Sequence, residues 1–106
     1  MKRNMTNHAR YDRKDRLEYI LDTIGFGEVV ASQILDDDNG GRRRELTTTG
    51  VVMIKGNTDN SFITAYICDI DEATAIWRSG HKREMPAQVY RNVRGNKMLR
   101  KNQPNS

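Results

Sequence analysis

Apolar and polar positions follow two different periods along the chain. Leu17, Ile20, Leu21 and Ile24 recur at i, i+3, i+4 and i+7, which places them on one face of an α-helix. Asp12 suits its N-cap and Gly25 the position just past its end. Phe26, Val29, Val30 and Ile34 keep a compatible spacing and predict a second helix over 26–35. The run Asp36-Asp37-Asp38-Asn39-Gly40-Gly41 is a strong turn signal. Beyond it the pattern becomes extended. Segments 43–48, 51–55 and 61–68 read as strands, with Gly56 to Asn60 as a hairpin loop, and together they predict an antiparallel meander. On the last strand Ile63, Ala65 and Ile67 share one face, and Phe62, Thr64, Tyr66 and Cys68 share the other.

Helical spacing returns at Ile70, Ala73, Ile76 and Trp77, with Asp71 as cap and Gly80 as stop. Pro86 suits the first turn of a short further helix carrying Val89, Tyr90 and Val93, closed by Gly95. Residues 96–106 are almost devoid of apolar side chains. The expected fold is therefore α+β: two N-terminal helices, a three-stranded antiparallel meander, C-terminal helices and a disordered basic tail, with the helices on one face of the sheet. One domain would occupy 1–95 and the tail 96–106. The expected core runs from Leu17, Ile20, Leu21 and Ile24 through Val29, Val30 and Ile34. It continues through Val52, Ile54, Ile63, Ala65 and Ile67 to Ile76 and Trp77.

Composition narrows the class. With 106 residues, 36% hydrophobic and 30% charged, the chain can bury one thin core. No apolar run approaches the roughly 18 residues that span a bilayer. The charged N-terminus leads into no apolar segment, so a signal peptide is not expected. Cys68 is the single cysteine, which excludes an intrachain disulfide and fits a reducing, cytoplasmic setting.

Charge is unevenly spread. Residues 1–16 carry six Lys/Arg against Asp12 and Asp15, residues 17–77 carry four against eleven acids, and residues 78–106 carry eight against Glu84 alone. Two basic ends flank an acidic middle, so the expected partner is a protein or a nucleic acid, RNA before DNA. The candidate nucleic-acid contacts are Arg10, Arg13, Arg42, Arg43, Arg44, Arg94, Arg100 and Lys101.

Candidate chemistry is sparse. His8 and His81 are far apart, and the Asp36 run lacks alternating ligands and has Thr47 where a calcium loop needs a carboxylate, so no metal or cofactor is expected. Gly25-Phe26-Gly27 follows no strand and is no phosphate loop. Acidic neighbours make Cys68 a structural residue and not a nucleophile. Metal-free RNA cleavage, by contrast, asks only for a cation, a base and an acid, and His, Arg, Tyr and Thr can supply these. The catalytic candidates are His8, Thr64 and Tyr66.

The segment Thr6-Asn7-His8-Ala9-Arg10, followed by two helices and then a meander carrying Phe62-Ile63-Thr64-Ala65-Tyr66, resembles the layout of small metal-independent endoribonucleases of the barnase, EndoU, colicin and RelE type, found among phage and toxin proteins. The resemblance covers residues 6–68. It implies that His8 acts as acid or base, that Arg10 and Arg44 bind phosphate, and that Thr64 and Tyr66 position it. Three readings follow. The first is a small intracellular binding protein of a phage or mobile element that blocks or redirects a host or defence macromolecule without catalysis. The second is an RNA-binding or RNA-cleaving protein of the endoribonuclease kind. The third is a DNA-binding regulator, although the second helical segment carries Glu28 as its one charge and makes a poor recognition helix.

Overall fold

The computed structural model describes residues 8–35 and 41–104, with side chains described from Asp15 onward in the first helix. Helix α1 (His8–Thr23) leads into four strands, β1 (Val29–Leu35), β2 (Arg42–Thr47), β3 (Val51–Gly56) and β4 (Phe62–Ile67). Three helices follow, α2 (Ile70–Gly80), α3 (Ala87–Gly95) and α4 (Lys97–Asn102). The strands form one antiparallel sheet in the order β1-β2-β3-β4.

The expected pair of N-terminal helices and three strands is thus replaced by one helix and four strands. Residues 29–35 form β1 and not a second helix. Their sequence, VVASQIL, opens on adjacent β-branched residues, which favour a pleated strand. Four apolar positions in ten residues fitted the helical template, but a partner strand decides between the two periods. β1 pairs with β2 from Leu35↔Arg42 to Val29↔Thr47, with an irregularity between Val29 and Ala31. The helix pair expected over 12–24 and 26–35 therefore does not form, because residues 29–35 are a strand.

Helices cover both faces of the sheet, not one. On the first face Ala31, Leu46, Val52 and Ile54 pack under α2 and α3 through Ala73, Ile76, Trp77, Val89 and Val93. On the second, Val51, Ala65 and Ile67 pack under Ile20, joined by Leu17, Ile24 and Leu99. A strand buried on both sides must be apolar at consecutive positions, and β3 begins Val51-Val52, both fully buried. The expected core needs three corrections. Leu21 is 58% exposed, Val29 47% and Ile34 61%. Leu21 lies on the outer flank of the helix, whose inner stripe is Leu17, Ile20 and Ile24. Ile63 sits at an irregularity between the pairs Ile54↔Thr64 and Lys55↔Phe62 and packs on the first face, opposite to Ala65 and Ile67.

The described part of the expected tail, residues 96–104, is ordered, and residues 105–106 lie outside the described residues. Residues 97–102 form α4, so the expected disordered tail is corrected. The tail reading rested on sparse apolar residues, whereas Leu99 packs on the second face and polar groups complete the docking. Tyr19 Oη donates to Leu99 O at 3.0 Å, and Asn96 Nδ2 donates to Thr49 O at 2.8 Å. Gln103 donates through Nε2 to Ile67 O at 3.1 Å and accepts from Ile67 N at 2.9 Å. Gln103 thereby occupies both backbone groups that β4, an edge strand, presents outward at Ile67. The β2–β3 turn is held by Asn92 and Asn96 against Thr48 O and Thr49 O. Gly50 is required there, since its φ is +90° and a Cβ would lie 2.7 Å from Asn96 Nδ2.

Candidate functional site

Cross-strand pairing brings distant residues into one row. Gln33 pairs with Arg44, Arg44 with Ile54, and Ile54 with Thr64, so the row crosses all four strands on the first face. The next row is Ala31, Leu46, Val52 and Tyr66. Thr64 and Tyr66 therefore share a face, as the period of two requires, and Arg44 lies two strands away on it.

Helix α2 adds a carboxylate. Its N-cap is Asp69 and not the expected Asp71; the Asp69 side chain accepts from Glu72 N at 2.8 Å. This cap fixes the first turn and points Glu72 back over the sheet. Glu72 Oε2 accepts from Arg44 Nη1 at 2.7 Å and from Tyr66 Oη at 2.8 Å. Gln33 Oε1 accepts from Arg44 Nε at 3.2 Å and from Arg44 Nη2. Arg44, Glu72 and Tyr66 are all only partly buried. Burial first, and then the Glu72 carboxylate, push the Tyr66 hydroxyl well above the ordinary tyrosine range, only partly opposed by Arg44. Tyr66 thus keeps its proton and acts as a donor.

Arg16 comes from the other layer. It leaves α1 and wraps the open edge of β4, donating from Nε to Ala65 O at 2.8 Å and from Nη2 to Thr64 Oγ1 at 2.7 Å. Its guanidinium carbon lies 5.9 Å from the Tyr66 ring centroid. Arg16, Arg44, Thr64, Tyr66 and Glu72 therefore meet at one margin of the sheet. These five side chains comprise two guanidinium groups, two hydroxyls and one carboxylate.

The remaining candidates fall elsewhere. His8, Arg10 and Arg13 are in the N-terminal half of α1, and their side chains lie outside the described residues, as do residues 1–7 and 36–40. The Arg42-Arg43-Arg44 run does not act as one patch, because alternation sends Arg43 to the opposite face from Arg44. There Arg43 Nε and Lys55 Nζ each lie 2.9 Å from a Glu45 oxygen, and Arg43 Nη2 also reaches Asn60 Oδ1. Arg94 is exposed at the end of α3, Arg100 is half-buried in α4, and Lys101 is exposed beside it. Arg94, Lys97 and Arg100 face Asp69 and Asp71 across a crevice of about 360 Å³. Cys68 is buried, donates to Gly50 O at 3.4 Å, and is pushed up to about 12 by burial and the neighbouring carboxylates of Glu72 and Asp69. No cluster of three His, Cys, Asp or Glu suited to a metal is present among the described residues. No described helix is long and apolar enough to cross a membrane.

Glu72, Arg16 and Gln33 were missed in the sequence. The Asp69-x-x-Glu72 spacing was a readable signal for Glu72, as it matches a helix cap followed by an acid three residues on. Arg16, four residues before the buried Ile20, stands as a charge along the inner stripe of α1. Nothing local marks Gln33. No family model matches the chain, and no curated protein or solved structure matches it.

Proposed function

We propose that this chain is a cytoplasmic, RNA-directed protein that binds a phosphodiester at the Arg16–Thr64–Tyr66 margin and cleaves it without a metal. The observation that carries this reading is the convergence, from α1, β2, β4 and α2, of two guanidinium groups, two hydroxyls and a carboxylate. Arg16 and Arg44 supply the charge that a phosphorane requires. Thr64 and Tyr66 hold the phosphate oxygens. Glu72 Oε2 is engaged, while its Oε1 has no hydrogen-bond partner among the described residues, so a proton acceptor stands beside the donors. The 2′-hydroxyl attacks phosphorus and its proton passes to the Glu72 carboxylate, while the bond from phosphorus to the 5′-oxygen breaks and that oxygen takes a proton from water, giving a 2′,3′-cyclic phosphate. The sequence resemblance gives His8 the role of acid or base. That residue is on the same helix as Arg16, eight positions earlier and about 12 Å along the axis. RNA incubated with chelator and purified protein should yield cyclic-phosphate ends, and Glu72→Gln should slow the cut about 10²-fold or more.

A second reading is a binding protein of a phage or mobile element that blocks or redirects a host or defence macromolecule. It is favoured by the engagement of Arg44 and Tyr66 with Glu72, which leaves their charge and proton already committed. Under it the protein retains RNA or a protein partner and leaves RNA intact at any concentration.

A further inference from the structure

A second groove lies between α2 and α3. Thr74, Trp77 and Arg78 form one wall, and Met85, Ala87 and Tyr90 the other, enclosing about 510 Å³, within the range of small-ligand sites. Trp77 is held in place: its Nε1 donates to Arg83 O at 2.8 Å, and its ring stacks on His81 at 3.8 Å between centroids. Tyr90 is different. It is 42% exposed, on a helix whose neighbours Val89 and Val93 are buried. The Arg94 guanidinium carbon lies 5.7 Å from its ring centroid, while the ring also borders the groove. Exposed Arg78 lines the groove, exposed Arg94 lies against Tyr90, and Glu84 is the one carboxylate lining it.

We infer that this groove takes an unpaired nucleobase of single-stranded RNA, stacked on Tyr90, with the adjoining phosphates on Arg78 and Arg94. The inference rests on the RNA-directed reading and adds to it a place where the strand is held away from the reacting bond. Stacking needs a flat face and tolerates any base, while the phosphates need cations beside it. An acidic peptide would use the arginines and leave the ring unused.

The test uses a 2′-O-methyl oligoribonucleotide, which has no free 2′-hydroxyl and therefore survives any cleavage. Binding is followed by anisotropy of the labelled strand and by emission of Trp77, the single tryptophan. Binding should quench Trp77. Tyr90→Ala should weaken affinity about tenfold or more with its salt dependence unchanged, and Tyr90→Phe should restore it. Arg78→Ala should lower the slope of log affinity against log salt by about one. Parent-like affinity in Tyr90→Ala, unchanged Trp77 emission on binding, or equal competition by poly-glutamate would overturn the stacking site while leaving RNA binding intact. No binding of the oligonucleotide at low salt would overturn the RNA-directed reading together with it.

Discussion

Ile20 and Leu21 are adjacent aliphatic residues on α1 with opposite fates. Ile20 is fully buried between α1 and the sheet, and Leu21 is 58% exposed. Ile20→Ala should cost ~2–5 kcal/mol of unfolding free energy, and Leu21→Ala under about 0.5 kcal/mol, measured by denaturant titration. Equal losses would place the inner stripe of α1 wrongly. The apolar spacing in the sequence could not separate the two, because both fit a helical face and the direction of the sheet chooses one. Glu45 offers a pH test. Burial alone would raise its carboxyl, but hydrogen bonds and charge from Lys55 and Arg43 outweigh that and hold it below the ordinary range. A carboxyl lowered in the folded state contributes stability above its unfolded pKa and loses it as pH falls through the folded value. The parent should therefore lose more stability than Glu45→Gln as acid is added below about pH 4.5, the ordinary carboxyl value. Parallel acid curves would show that the Arg43–Glu45–Lys55 group contributes nothing.

Each element is set by local signals plus one neighbour. The alternation on β4 put Thr64 and Tyr66 on one face, and that was legible, since a strand of period two allows nothing else. The second strand face was legible only in part, because the irregularity at Ile63 depends on the pairing with β3. β1 was misread because seven residues are too few for a helical and an extended pattern to diverge. α4 was hard to read from hydropathy, since Leu99 alone packs on the core cluster and Gln103, Tyr19 and Asn96 dock the rest through backbone carbonyls and amides. Gln103→Ala should release the Ile67 amide to fast hydrogen exchange and cost ~1–2 kcal/mol, two modest hydrogen bonds. An Ile67 amide that stays protected would mean that α4 closes the β4 edge without Gln103.

At the scale of the whole molecule, the site exists only because the sheet separates two helical layers and β4 is left at its edge. Arg16 reaches the first face from the second by wrapping that edge, and Glu72 reaches it from the cap of α2. No sequence window contains Arg16, Arg44, Thr64 and Glu72, so their meeting was beyond local reading, whereas the pair Thr64 and Tyr66 was within it. The uneven charge was legible as well. Part of its basic C-terminal stretch lies on α3 and α4, where Arg91, Arg94, Lys97 and Lys101 are exposed. RNA affinity should therefore fall steeply with salt through counterion release, and replacing Arg94 and Lys97 by Ala should reduce the slope by about two. The most direct test of the RNA-directed account is cleavage of a single-stranded oligoribonucleotide by purified protein in chelator, compared among the parent, Arg16→Ala and Glu72→Gln. The account predicts 2′,3′-cyclic phosphate ends with the parent, no product from the deoxy strand, and a loss of about 10²-fold or more in each variant. Intact RNA with the parent at high concentration, or variants that cut as fast as the parent, would contradict it.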